Sequence, residues 1–232
     1  MKTLIITGAS KGIGLETARR FADLGYRVLN ISRTPAPDDR IENHNIDLSM
    51  SDCGSQLAEL FDLMLEAGEI CLIHNAAKLV GDRVGETDTD ALQDILNINV
   101  VAANTINTLI IPKMAAGSSI IYVGSTLGEK AVPGAHSYVV SKHAMIGMMR
   151  ATCQDLAGRG IHTACVCPGF TDTEMLRAHL GEDASVIEAI AGNCTFDRLI
   201  TPGEIAATLE FAATNPVING AVIHANLGQV ER

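Results

Sequence analysis

Short runs of β-branched and aliphatic residues alternate along this chain with longer stretches whose apolar residues recur at three-and-four spacing, and this alternation restricts the fold more than any other feature. A strand that must be followed by a helix before the next strand cannot close as a hairpin, so the pattern demands parallel strands with helices on both faces. Strands are predicted over 2–7, 26–32, 43–47, 70–74, 118–124, 161–167 and 219–225. Helices are predicted over 12–24, 52–66, 88–114, 137–158 and 202–214, the fourth with Met145, Met149, Cys153 and Leu156 along one side. The last helix has an explicit start, with Thr201 as N-cap, Pro202 at the first helical position and Glu204 three residues after the cap. The expected architecture is α/β: a doubly wound parallel seven-stranded sheet in a single domain over residues 1–232, without repeats or low-complexity tracts.

Composition removes several function classes. Lys and Arg number 17 against 27 Asp and Glu, a net charge of −10, aromatic residues are 3% and tryptophan is absent, which is unsuited to a nucleic-acid surface. The six cysteines (Cys53, Cys71, Cys153, Cys165, Cys167 and Cys194) show neither zinc spacing nor a disulfide framework and are expected as small buried hydrophobes in a reducing compartment. The opening apolar run is too short for a signal segment and no run of 18 apolar residues occurs, so no membrane partner and a cytoplasmic location are expected.

Directly after the first predicted strand comes Thr7-Gly8-Ala9-Ser10-Lys11-Gly12-Ile13-Gly14, followed at once by an amphipathic helix. A dinucleotide pyrophosphate needs this arrangement: glycines let the backbone turn tightly and approach the phosphates, and the helix N-terminus offers unpaired N–H groups. Gly8, Ser10, Lys11, Gly12, Ile13 and Gly14 are therefore candidate cofactor residues. At the end of the second strand, where selection of NAD calls for a carboxylate against the ribose 2′-hydroxyl, stands Ser32-Arg33. Arg33, helped by Lys11, would instead pair a 2′-phosphate through charge-assisted bonds, so the expected cofactor is NADP(H).

Ser125 ends a strand at the edge where open α/β sheets bind ligands, and Tyr138 and Lys142 are four apart on a predicted helix and share a face. A nearby ammonium favours the ionised form of a phenol, which fits the pair for acid–base work. His136 and His143 flank the tyrosine but are expected off the catalytic face.

On these residues the chain resembles the short-chain dehydrogenase/reductase family, of its short single-domain type, and within it the 3-oxoacyl-thioester (acyl-carrier-protein) reductases. The resemblance runs from residue 3 to about 228 and rests on Thr7 to Gly14, Asp47-Leu48, Asn75-Ala76-Ala77, Asn99, the serine and Tyr138-x-x-x-Lys142 spaced by 138 − 125 = 13, and Pro168 to Thr173. It implies an enzyme that interconverts a small-molecule carbonyl and a secondary alcohol, with Tyr138 as acid/base, Ser125 holding the reacting oxygen, Lys142 also on the nicotinamide ribose, and Asn99 supporting a proton relay. It further implies Asp47 and Leu48 near the adenine, Asn75, Ala76 and Ala77 along the cofactor, and Pro168, Gly169, Thr171 and Thr173 near the nicotinamide. A homotetramer or homodimer built on the helices at 88–114 and 137–158 is implied as well, with Ala144, Gly147 and Ala151 permitting close approach.

Three features depart from the family. The 33–47 connection is too short for the usual crossover helix, Ala77 replaces a glycine, and His224 to Gly228 replaces the usual acidic-Gly-Gly ending. Substrate contacts are expected from 174–200 as an amphipathic lid (Met175, Leu176, Leu180, Val186, Ile190), with 126–132 and 79–83 as walls. Arg177 stands where carrier-thioester reductases keep a basic residue, while Lys113 to Gly117 lacks their second arginine. A 3-oxoacyl thioester or small ketone is the first expectation for the substrate. An alcohol or cyclic-diol dehydrogenase running toward oxidation, and a non-catalytic NADP(H)-binding sensor, are the alternatives.

Overall fold

A computed structural model describes residues 2–181 and 184–230. Seven strands, β1 (Thr3–Thr7), β2 (Arg27–Ser32), β3 (Ile41–Asn45), β4 (Ile70–His74), β5 (Ser119–Val123), β6 (His162–Pro168) and β7 (Val222–Ala225), form one all-parallel sheet in the order β3-β2-β1-β4-β5-β6-β7. The order reverses between β1 and β4, and that switch point opens a crevice at the carboxyl edge of the sheet.

Helices α1 (Gly12–Asp23), α2 (Cys53–Met64), α3 (Thr89–Leu96), α4 (Ala102–Ile110), α5 (His136–Asp155), α6 (Glu174–Leu180), α7 (Ala184–Ala191) and α8 (Pro202–Thr214) complete the fold. On one face of the sheet Leu57 and Phe61 of α2, Ile106 and Ile110 of α4 and Met145 and Met149 of α5 bury against Ile5, Leu72 and Ile120. On the other, Ala18 and Phe21 of α1 meet Ile205, Leu209 and Ala212 of α8 over Leu4, Ile6 and Ile121. The α8 start carries the full capping box: Thr201 Oγ1 accepts from the Glu204 backbone and Glu204 accepts from the Thr201 backbone.

Several boundaries differ from the sequence reading for local reasons. The third strand ends at Asn45 rather than 47 because Asp47 forms an Asx turn, its carboxylate accepting from Ser49 N at 2.9 Å and Ser49 Oγ at 2.7 Å. The last strand starts at Val222 rather than 219, since Asn219 and Gly220 (φ +80°) make a turn in which Asn219 Oδ1 accepts from Thr163 N. The helix expected over 88–114 is continuous from Thr89 to Lys113 but contains a π turn at Asn97–Val101. That run is long and apolar enough to match a membrane span by composition, yet Ile95, Ala102, Ala103, Ile106 and Ile110 sit in the core, so it is a partly buried core helix. Residues 33–40 join β2 to β3 without a helix, as the short spacing implied.

A buried polar chain crosses the first core face. His74 Nε2 meets Asn107 Oδ1 at 2.8 Å, Asn107 Nδ2 donates to Tyr122 Oη at 2.8 Å, and Tyr122 Oη lies 3.1 Å from Thr152 Oγ1. Burial pushes the His74 imidazole down to about 4 from its ordinary 6.5, with the Asn107 bond only partly opposing. A depressed folded-state value means that His74 stabilises the fold fully above about pH 6.5 and that this contribution is lost as the pH falls toward about 4, at most about 3 kcal/mol in all. Melting temperatures of wild type and His74→Asn between pH 7.5 and 5 should show a steeper acid decline for wild type. Parallel curves would exclude His74 as the source.

Candidate active site

The site forms where β1, β4, β5 and β6 end. The β1–α1 turn is shaped by Gly8 (φ +72°), and a Cβ at Gly14 would come within 2.3 Å of the Gly8 carbonyl oxygen, so the helix packs on the turn at backbone distance. The turn is fixed from the neighbouring strand end: Asn75 Nδ2 donates to the Thr7 and Gly8 carbonyls, each at 2.9 Å, and Thr7 Oγ1 accepts from Asn75 N and Ala76 N. Lys11 occupies the N-cap position of α1 without a capping hydrogen bond, and no acidic residue sits in the first turn. The helix thus presents open N–H groups to the crevice.

A single cleft of about 810 Å³ is lined by every predicted cofactor residue: the turn from Gly8 to Gly14 except Ala9, then Ser32, Arg33, Asp47, Leu48, Asn75, Ala76, Ala77, Tyr138, Lys142, Pro168, Gly169, Thr171 and Thr173. Ser125 lines it too; Asn99 does not. Arg33 is exposed and makes no ion pair among the described residues, whereas Lys11 is paired across the cleft with Glu174. Lys11 is therefore not the free second cation that the sequence suggested.

Tyr138 and Lys142 share the inner face of α5, with Nζ 5.4 Å from the phenol ring centroid. Lys142 is buried and donates to the Val123 carbonyl at 2.8 Å. Burial pushes the Tyr138 phenol up to about 12, a hydrogen bond with the Ser125 side chain pulling the other way, and pushes Lys142 down to about 8. In the free chain burial therefore drives both groups toward neutrality, while the reading that phenolate is favoured joins the Lys142 ammonium to an oxidised nicotinamide. Ser125 is an extended residue after β5 whose Oγ accepts from Leu127 N at 3.1 Å, which ties its position to the following turn.

Asn99 sits in the π turn with its side chain buried. Its Oδ1 accepts from Lys78 N at 2.7 Å, and its Nδ2 donates to Lys78 O at 3.0 Å and Ser141 Oγ at 2.9 Å. The amide is thus occupied as a clasp between the segment after β4 and α5, next to the cleft rather than in it.

Sequence reasoning missed Asp82, whose contact lies 55 positions downstream. Helix α5 has no cap of its own; instead the Asp82 carboxylate accepts from Ser137 N at 3.1 Å and from Ser137 Oγ, and holds Thr87 Oγ1 at 3.1 Å. Burial would raise the Asp82 carboxyl, but the Ser137 and Thr87 bonds outweigh it and hold the group below its ordinary value. Main-chain pairing of Asp82 with Gly134 and His136 adds to the joint.

The opposite wall is apolar. Met175, Leu176 and Leu180 of α6 face Leu79, Leu127 and Val132 across the cleft, while Val186 and Ile190 of α7 do not line it. The expected lid is thus two short helices of which the first covers the site; residues 182 and 183 lie outside the described residues. The Arg177 guanidinium is engaged by Asp172 at 2.6 and 2.9 Å and does not line the cleft. His143 is exposed, with Nδ1 2.9 Å from the Val139 carbonyl.

A switch-point crevice holding a glycine turn, a serine and a Tyr-x-x-x-Lys face defines a dinucleotide-dependent oxidoreductase fold. The family model for short chain dehydrogenases matches residues 2–183, and the chain belongs to that family. It is 30% identical to protein FixR of Bradyrhizobium diazoefficiens, over 98% of this chain and 86% of that protein. It is 28% identical to the 3-oxoacyl-[acyl-carrier-protein] reductase FabG of Vibrio harveyi, over 98% and 96%. Among solved structures it is similar to a short chain dehydrogenase family protein from Francisella tularensis, with a TM-score of 0.91, 22% identity and 98% of each chain covered. It is also similar to ElxO with NADP bound, with a TM-score of 0.85, 24% identity and 98% of each chain covered. Members of this family use NAD(P)(H) and interconvert alcohols and ketones.

Removing the borrowed cap should loosen α5. Asp82→Ala is expected to lower stability by about 1–2 kcal/mol in urea unfolding, as for a lost N-cap. A midpoint equal to that of wild type would mean that Asp82 holds nothing.

Proposed function

We propose that this chain is an NADP(H)-dependent oxidoreductase that interconverts a ketone and a secondary alcohol, with Tyr138 as the acid/base. The observation that carries this reading is the placement of Tyr138, Ser125 and Lys142 in the same cleft as the uncapped start of α1.

The residues fit the cofactor. The open N–H groups of α1 and the Gly8 to Gly14 turn would receive a pyrophosphate, and Arg33, which makes no ion pair among the described residues, would meet a 2′-phosphate beside Ser32. Asp47 and Leu48 would border the adenine, Asn75, Ala76 and Ala77 the middle of the molecule, and Pro168, Gly169, Thr171 and Thr173 the nicotinamide. The nicotinamide supplies or takes up the hydride.

The chain's own residues handle the proton and the orientation. Tyr138, with its phenol held up near 12, is protonated at neutral pH and so stands in the form that donates to a carbonyl oxygen. Ser125 holds that same oxygen by hydrogen bond. Lys142, when charged, supplies the positive field that eases proton release from Tyr138, and Asn99 keeps α5 in register through Ser141.

The substrate favoured by the cleft is a small, largely apolar ketone. Similarity to 3-oxoacyl reductases favours a 3-oxoacyl thioester as the second reading. Against an acidic carrier stand the net charge of −10 and the engagement of Arg177 by Asp172. The oxidative alcohol or diol reading uses the same residues in reverse, and a silent sensor would have no need of both Tyr138 and Lys142. A homo-oligomer is supported by exposed Gly147 and Ala151 on the outer face of α5 near exposed Val140, and by light scattering it should exceed the monomer mass.

NADPH consumption with small ketones, diketones and a 3-oxoacyl thioester tests the reading. Tyr138→Phe should lower kcat at least about 100-fold, and Arg33→Ala should lower kcat/KM for NADPH about 10- to 100-fold while leaving NADH nearly unchanged. Reduction should hold steady from pH 6 to 8 and decline in alkali, whereas oxidation should rise with pH. Full activity in Tyr138→Phe would refute the assignment.

A further inference from the structure

The short connection that carries Arg33 has few donors of its own. Pro35 and Pro37 lack an N–H and flank Ala36, so the Ala36 amide is the donor that this stretch must satisfy. Asn43 of β3 serves it as a neighbouring strand would. Its Oδ1 accepts from Ala36 N at 2.8 Å, and its Nδ2 donates to Ala36 O at 3.3 Å and to Ile41 O at 3.2 Å. Ala36 is buried with Val28, Ile41 and Ala18 of the core. Beyond it, Asp38 pairs with Arg40 and Arg19, and Arg40 with Asp23, which ties the rest of the connection to α1.

The same Asn43 oxygen accepts from Asn30 Nδ2 at 2.9 Å, across the β2–β3 register in which the two residues face each other. Asn30 is fully buried, and its amide is engaged at both ends. Its Nδ2 also donates to Ser32 Oγ at 2.9 Å, and its Oδ1 accepts from Ala9 N in the glycine turn at 2.9 Å. Ser32 Oγ in turn donates to Thr34 O at 2.5 Å, closing a tight loop whose middle residue is Arg33. Two asparagines thus connect the glycine turn with both ends of the exposed stretch Arg33-Thr34-Pro35. Neither Asn30, Asn43 nor Ala36 lines the cleft, whereas Ser32, Arg33 and Thr34 do.

Arg33 needs this restraint. Asp47 belongs to the same lining and lies near enough to feel the guanidinium: Ser49 N and Oγ chiefly hold its carboxyl below the ordinary value, and Arg33 adds a smaller pull. A loosened stretch would let Arg33 fold onto that carboxylate or out into water, and bidentate pairing with a phosphate demands a fixed approach.

We propose that Asn43, backed by Asn30, is a positioning residue for cofactor choice: it fixes the Arg33 backbone relative to the glycine turn, so that discrimination between NADPH and NADH depends on a side chain outside the cleft. This rests on the NADP(H) reading above and names what makes Arg33 effective.

The test is direct binding of NADPH and NADH, read from the fluorescence of the reduced nicotinamide, in wild type, Arg33→Ala, Asn43→Ala and the double variant. Asn43 is exposed on an edge strand, so truncating it leaves the hydrophobic core intact, and Asn30 keeps its bonds to Ala9 and Ser32. Asn43→Ala should raise the Kd for NADPH about 5- to 20-fold, with the Kd for NADH within about twofold of wild type. In the Arg33→Ala background the same substitution should change NADPH binding by less than about twofold, because no guanidinium remains to be positioned. A merely structural role would weaken both cofactors alike, or add its full effect to that of Arg33→Ala. Either result, or an unchanged NADPH affinity in Asn43→Ala, would overturn the proposal. A wild-type preference that Arg33→Ala abolishes and Asn43→Ala preserves would refute the proposal and leave the NADP(H) reading standing. Wild type that binds NADPH no tighter than NADH, with Arg33→Ala altering neither, would overturn that reading and the proposal with it.

Discussion

The joint between the ends of β1 and β4 governs the rest of the site. Parallel strands alone would leave their carboxyl ends as separate loops, free to drift apart at the point where the strand order reverses. Here the Asn75 amide spans the gap to the Thr7 and Gly8 carbonyls, and Thr7 Oγ1 returns the contact to Asn75 and Ala76. Four hydrogen bonds therefore fix the glycine turn against the neighbouring strand, and the start of α1 inherits its direction from that turn.

The second half of the site hangs on α5, which is held at three heights by groups from elsewhere in the chain. Asp82 grips Ser137, Asn99 grips Ser141, and the Val123 carbonyl receives Lys142. Each clamp touches the residue beside or within the Tyr138 and Lys142 pair, so the phenol is located by partners rather than by helix propensity. Burial sets the chemistry of the pair. Lys142 gives up water for one carbonyl and a sulfur contact, which leaves its charge under-compensated and explains its lowered proton affinity.

Much of this was legible in the sequence because it is local. The β-branched runs, the glycine turn and the four-residue spacing of Tyr138 and Lys142 are short-range patterns, and all predicted cofactor residues fall on one cleft. What was not legible is set by distant contacts or local competition. The end of β3 depends on an Asx turn competing with strand extension, and the π turn at Asn97–Val101 leaves no mark in apolar spacing. Lys11 looked free until the fold brought Glu174 to it, and Arg177 looked available until Asp172 closed on it. The burial of Tyr138 and Lys142 was not legible either, since spacing reveals a neighbouring cation but not the depth at which both groups lie.

The π turn has a consequence for how this chain tolerates change. A π turn holds one residue more than the α-helical path needs, so if the same residues tightened to plain α, the extra one would be taken up by the helix beyond it. Everything beyond it would then rotate by about 100°. Ile106 and Ile110 would swing from the core toward water and Asn107 would leave Tyr122, although no side chain had been altered. Asn99, which clasps Lys78 and Ser141, sits in that turn, and the register of the whole following helix is tied to keeping the turn open.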